Sequence, residues 1–270
     1  MRSFIGAALV LTIATSLCAC TEPESTDALD PQDKPDLEFR DHTSGGSSGL
    51  PWPEFRDNRI NLVQAAKTQR LLDQGTTNVS AGVLGWLDTP AGLDVLSYAV
   101  ACSLPDDMVV HGGGRTFVGR GHMIADAAWA NGPLDAAAIR DLMACMVTHV
   151  NAVVTTVPIQ LNGPDVGSDP VVDPEFTVSE AKWVAIVNAD NIPFFYVWPS
   201  SWVSRHCVDV AGAFKERVCG QSPTSCNLAV GPSGGCVENV AAGGWFCGGL
   251  PAIETKLKPA ALPILYKSCP

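Results

Sequence analysis

Two short stretches of this 270-residue chain have the letters of nucleophilic catalysis. Gly231-Pro232-Ser233-Gly234-Gly235 fits G-x-S-x-G, which presents a serine on a sharp turn. His111-Gly112-Gly113-Gly114 fits the glycine-rich run whose backbone N–H groups can hold an oxyanion. A serine nucleophile also needs a base within hydrogen-bond reach. The elbow arrangement requires a strand before the serine, a helix after it and a later histidine, yet no histidine follows His206. In the reverse order His111 or His122 could serve as base, but Pro232 stands where G-D-S-G-G places its acid. A hairpin turn alone explains His111 to Gly114. The catalytic alternative is therefore an exported hydrolase, either serine-type through Ser233 with His111, or glycan-active through carboxylates that spacing does not single out.

Metal chemistry finds weaker support. The histidines, His42, His111, His122, His149 and His206, show no H-x-x-x-H pair. His149 falls in the last turn of a predicted helix, where the dipole favours a cation, and that is its ordinary explanation. Asn162, Asp165, Asp169 and Asp173 could surround Ca²⁺ but lack the glycine and the bidentate Glu of an EF-hand loop. No metal and no cofactor is expected. The aromatic run Phe194, Phe195, Tyr196, Trp198 and Trp202, with Trp245, could stack on a glycan or peptide, or could simply alternate into a core. Trp198 and Trp202 flank a Pro-Ser-Ser turn, which makes them the candidate binding surface, with an envelope protein or glycan as partner.

Ten cysteines include Cys18 and Cys20 near the start, leaving Cys102, Cys145, Cys207, Cys219, Cys226, Cys236, Cys247 and Cys269. An even set in an exported chain reads as disulfides, with ~105 pairings open for eight. Six of them crowd into the last quarter, which leaves Cys102 and Cys145 to pair in the first half. No CxxC occurs, so neither a thioredoxin-type centre nor a zinc knuckle is indicated. A net charge of −11 repels phosphate backbones and excludes nucleic acid as a partner.

The first twenty residues set the compartment. Arg2 precedes an uncharged apolar run, Phe4 to Leu17, that closes on Leu17-Cys18-Ala19-Cys20. As a helix this run reaches about 21 Å at ~1.5 Å per residue, short of the ~30 Å hydrocarbon core, so it is no permanent span. It resembles a bacterial lipoprotein signal, with Leu17 and Ala19 ahead of a lipidated Cys20. The competing reading is an ordinary secretory signal cut after Ala19. The resemblance implies signal peptide 1–19, a membrane anchor through lipid on Cys20, and an extracytoplasmic domain. Thr21 in place of an Asp favours the outer membrane or cell surface over the inner membrane. Residues 20–50, acidic and Pro/Gly/Ser-rich, read as a disordered tether of roughly 30 Å average reach.

A globular domain is expected over 51–270, with a cysteine-dense part at 203–270. Helices are predicted at Ile60–Leu72, Leu93–Ser103 opened by Thr89-Pro90, Met123–Ala130, and Ala136–His149 behind an Asp135 N-cap. Ile139, Leu142, Met143, Met146 and Val150 give the last of these a core-facing stripe, with Cys145 beside it. Met108–His111 and Arg115–Val118 make a hairpin, and Val153–Leu161, Trp183–Val187 and Phe194–Trp198 are strands, the first an edge because of Pro158. The fold class is α+β: short helices packed with a small, mostly antiparallel sheet and a disulfide-rich C-terminal part.

Leu96–Pro105, Leu142–Cys145 leading to Val150-Asn151-Ala152, and Phe176–Trp183 together resemble a family of exported lipoproteins, myxobacterial in type and of unknown function. The resemblance supports the Cys102–Cys145 pairing and one continuous domain, and it brings no activity. The function expected is a membrane-anchored, non-catalytic binding or interaction module of the cell envelope.

Overall fold

Residues 45–122, 128–153, 156–163, 174–220, 226–231 and 235–269 are described by a computed structural model, and they form an α+β fold. The chain enters through strand β1 (Gly45–Ser48), inside the stretch expected to be tether. Its glycines and serines pair with a later strand, and Leu50 bridges Val150, so the folded part starts before residue 51. Helix α1 (Trp52–Thr68) begins eight residues earlier than predicted, because Pro51 and Pro53 suit a first turn that needs no N–H partner. It stops before Leu71 and Leu72, whose N–H groups donate to Trp129 and Ala130 carbonyls instead of continuing the helix.

Helix α2 (Ala81–Leu87) was not foreseen, since Gly82 and Gly85 depress its propensity; the Ser80 side chain caps it on the Val83 N–H. Helix α3 (Pro90–Ser103) is capped by Thr89 and approaches α2 so closely that a Cβ on Gly92 would lie 2.5 Å from the Leu87 carbonyl oxygen. The predicted hairpin is present as β2 (Val109–Gly112) and β3 (Arg115–Val118). Gly113 and Gly114 both take positive φ, +58° and +76°, the conformation of a two-residue primed turn. A short helix α4 (Ala128–Asn131) covers the end of the Met123–Ala130 prediction, and residues 123–127 lie outside the described residues. Helix α5 (Ala136–His149) has the predicted bounds and cap, with Asp135 accepting from the Ala138 N–H at 2.8 Å.

The main sheet follows: β4 (Val157–Asn162), β5 (Val178–Val187) and β6 (Pro193–Pro199), helices α6 (Ser201–His206) and α7 (Val210–Cys219), then β7 (Leu228–Val230), β8 (Cys236–Asn239), β9 (Gly244–Cys247), β10 (Leu250–Leu257) and α8 (Leu262–Leu265). Strand order is β1-β4-β10-β5-β6-β7, antiparallel throughout except for β6–β7. One sequence expectation is corrected here. Strand β4 is interior, flanked by β1 and β10; Pro158 is tolerated because β10 pairing ends at Ile159. The cysteine-dense part contributes β10, which sits between β4 and β5.

One face of the sheet packs against α5, with Phe55 of α1 on Phe195 of β6, and α3 packs in turn on α1 and α5. Ala181, Trp183 and Ala185 of β5, Phe195 and Val197 of β6, and Ile253 and Leu257 of β10 all join that core. On the opposite face Val184, Trp198, Ala252 and Cys247 form a second, smaller core under the β8–β9 hairpin. Four disulfides join Cys102 to Cys145, Cys207 to Cys269, Cys219 to Cys226 and Cys236 to Cys247. The first ties α3 to α5, as predicted.

Candidate functional site

A β-bulge shapes the interior. Ala181 pairs with Thr255 and Ser179 with Lys256, so Glu180 is the extra residue, and the bulge re-aims its side chain inward. There the carboxylate accepts from Arg217 Nε at 2.6 Å and Tyr266 Oη at 2.6 Å on one oxygen. The other oxygen accepts from Thr255 Oγ1 at 2.7 Å and Arg217 Nη2 at 3.3 Å. Arg217 also donates to the Val150 and Thr148 carbonyls at the end of α5, and Trp183 Nε1 donates to Thr255. Glu180 and Arg217 have no solvent exposure, and Tyr266 has 1%. Burial, reinforced by the Glu180 charge, pushes the Tyr266 phenol well above its usual pKa, so it serves as donor and not as base. Closed to solvent and satisfied on all sides, this network is a structural joint between β5, β10, α7 and the C-terminal segment.

A second buried polar group lies by the Cys102–Cys145 bridge. His149 packs its ring 5.3 Å from Tyr98 and 5.3 Å from His122, and its Nε2 lies 3.9 Å from Cys145 Sγ. Burial, with the His149 and Arg120 charges adding to it, holds the His122 pKa well below the usual imidazole value. His149 stands in the last turn of α5, as predicted, and is buried there in the core.

The predicted site residues do not converge. His111 is exposed on β2, with Nδ1 3.1 Å from Thr116 Oγ1, and its glycines are accounted for by the hairpin turn. A shallow recess beside it, lined by Val79, Leu84, Arg115 and Thr116, has its cation engaged by Asp94. Ser233, Cys20, His42 and the Asp165, Asp169 and Asp173 carboxylates lie outside the described residues. Trp198 is only 9% exposed and sits under Gly231 in the second core, where a Cβ on that glycine would enter the indole ring. Trp202 packs toward the main core and stacks on His206 at 4.3 Å. The two tryptophans belong to different cores and offer no common platform, which withdraws the surface expected from the Pro-Ser-Ser turn.

What the fold does build is a cleft of about 530 Å³, within the ~300–1,000 Å³ range of small-molecule sites. Val63, Leu134, Ile139, Ile186 and Leu250 give it apolar walls, and Lys67, Arg140 and Asn191 stand among its polar groups. Four separate segments meet there: the end of α1, the start of α5, the β5–β6 turn and Leu250 at the start of β10. The turn is braced, because Asn188 Oδ1 accepts from the Asp190 and Ile192 N–H groups. Asn191 donates to Gln64 at 2.6 Å and accepts from Lys67 Nζ at 3.3 Å, which fastens the turn to α1. Ile186 is 42% exposed at the lip, and its register partner Phe194, 38% exposed, extends the apolar surface onto β6. Sequence reading placed Ile139 on a helix stripe and Ile186 in a strand, but their meeting depends on tertiary packing that no local pattern encodes.

No helix among the described residues is long and apolar enough to cross a membrane. No family model, curated protein or solved structure matches this chain.

Proposed function

We propose that this protein is an exported binding module of the cell envelope, tethered by lipid on Cys20, whose ligand site is the cleft between α1, α5 and the β5–β6 turn. The observation that carries the reading is the cleft itself: apolar walls, a few polar groups, and a turn held rigid by Asn188 and Asn191. Four disulfides fit an oxidising, extracytoplasmic compartment. The signal-like start ending at Cys20 supplies the anchor, with the outer membrane or cell surface as its placement.

Native mass spectrometry of the protein drawn from its own membranes tests the binding reading. A small-molecule adduct is expected, and Ile186→Glu should remove it. Absence of any adduct would overturn the reading, and fluorophosphonate labelling that disappears in Ser233→Ala would replace binding with hydrolysis. The anchor is tested separately: Cys20→Ser should move the protein from the membrane to the soluble fraction, and retention on the membrane would sink it.

A further inference from the structure

The cleft has a chemical polarity of its own. Its walls offer only aliphatic carbons from Val63, Leu134, Ile139, Ile186 and Leu250, and an apolar ligand segment gains most by covering them. Two cations line the space, Lys67 from α1 and Arg140 from α5, the latter with its Nε bonded to Asp141 Oδ1 at 3.1 Å. The single lining carboxylate, Asp135, is committed as the N-cap of α5 through its bond from the Ala138 N–H. The 14-residue α5 starts at the cleft, and the positive end of its dipole adds to the two cations.

Resting on the reading of the cleft as a binding site, we infer that its ligand is an amphiphilic acid. The carboxylate sits between Lys67 and Arg140, and a flexible apolar chain runs past Ile139 toward Ile186 and the exposed Phe194. Carboxylate recognition by a guanidinium and an ammonium gives charge-assisted hydrogen bonds, about twice as strong as neutral ones. The aliphatic walls contribute affinity without directional demand, and the surface continuing onto Phe194 accommodates chains longer than the cleft.

The test uses the full chain carrying Cys20→Ser, which needs no detergent, titrated calorimetrically with decanoate below its micellar concentration and with decanol in parallel. Decanoate should saturate one site, with decanol about tenfold weaker, equivalent to ~1.4 kcal/mol. Lys67→Gln combined with Arg140→Gln should raise the decanoate Kd about tenfold while leaving the decanol Kd unchanged. Ile186→Glu, with an unaltered melting temperature, should abolish both. Equal affinities for acid and alcohol, indifferent to the two charge substitutions, would overturn acid recognition while leaving the cleft a binding site. No saturable binding of either compound, or binding untouched by Ile186→Glu, would overturn the cleft reading itself.

Discussion

The buried polar groups around Glu180 and around His149 are alike in burial and differ in how their polar atoms are paired. Around Glu180 both carboxylate oxygens are taken up by Arg217, Tyr266 and Thr255, and Arg217 donates onward to two carbonyls. Around His149 the rings of Tyr98 and His122 pack at 5.3 Å, and His122 Nε2 is buried and lacks a hydrogen-bond partner. A buried ion pair is costly to break because the survivor stays charged and unsolvated. A buried neutral imidazole carries a milder penalty that grows only when protons are plentiful. The first group therefore fixes the architecture, and the second makes it sensitive to acid.

The sharpest way to break this contrast is Glu180→Ala. It strands Arg217 and should lower the unfolding free energy by about 3–5 kcal/mol in urea titrations at pH 7. Replacing Glu180 and Arg217 together with methionine should recover much of that loss, because no orphan charge remains. A single-variant loss under ~1 kcal/mol, the value of an exposed pair, would mean that water reaches Arg217.

Next in size is the bridge beside the histidines. Cys102→Ala with Cys145→Ala opens a loop with sequence separation 43 and should cost about 4 kcal/mol in the chain-entropy model, read by thermal melting. The same treatment of Cys236 and Cys247, separation 11, should cost about 3 kcal/mol, so the two double variants rank in that order.

The smallest effect is the most diagnostic. The folded-state pKa of His122 lies below its unfolded value, so the unfolded chain takes up the proton first. Stability is intact above pH ~6.5 and falls as the pH drops below it, by up to ~1.4 kcal/mol per pH unit for this group. His122→Phe removes the orphaned nitrogen along with the titration. It should be within ~0.5 kcal/mol of neutral at pH 7 and should flatten the acid limb between pH 6.5 and 5. An acid limb of unchanged slope in that variant would transfer the effect to other groups.

Elements whose signals are local were legible. Asp135 caps α5 at the predicted residue because a side chain three positions from its target settles the matter. The β2–β3 hairpin follows from two adjacent glycines in primed-turn conformation. The long-range features were not legible. Glu180 enters the core only because β5 carries a bulge against β10, and register between strands some 70 residues apart leaves no mark in composition. Trp198 and Trp202 look alike in sequence, yet the strand and the helix that carry them turn the two rings into different cores. The cleft joins Lys67, Arg140 and Ile186, residues that are each unremarkable within their own segments.

Strand β10 lies between β4 and β5 in the sheet, yet it comes well after both in sequence. Until Leu250–Leu257 arrives, β4 and β5 have no common neighbour, and each presents an unpaired ladder edge. Both the β4 and β5 ladders are therefore completed when β10 inserts between them. A message cut short before Leu250 yields a chain whose helices can pack but whose two facing edges stay bare, a form that proteases and neighbouring chains can recognise. The sheet thus depends on a segment far along the chain from the two strands that it joins.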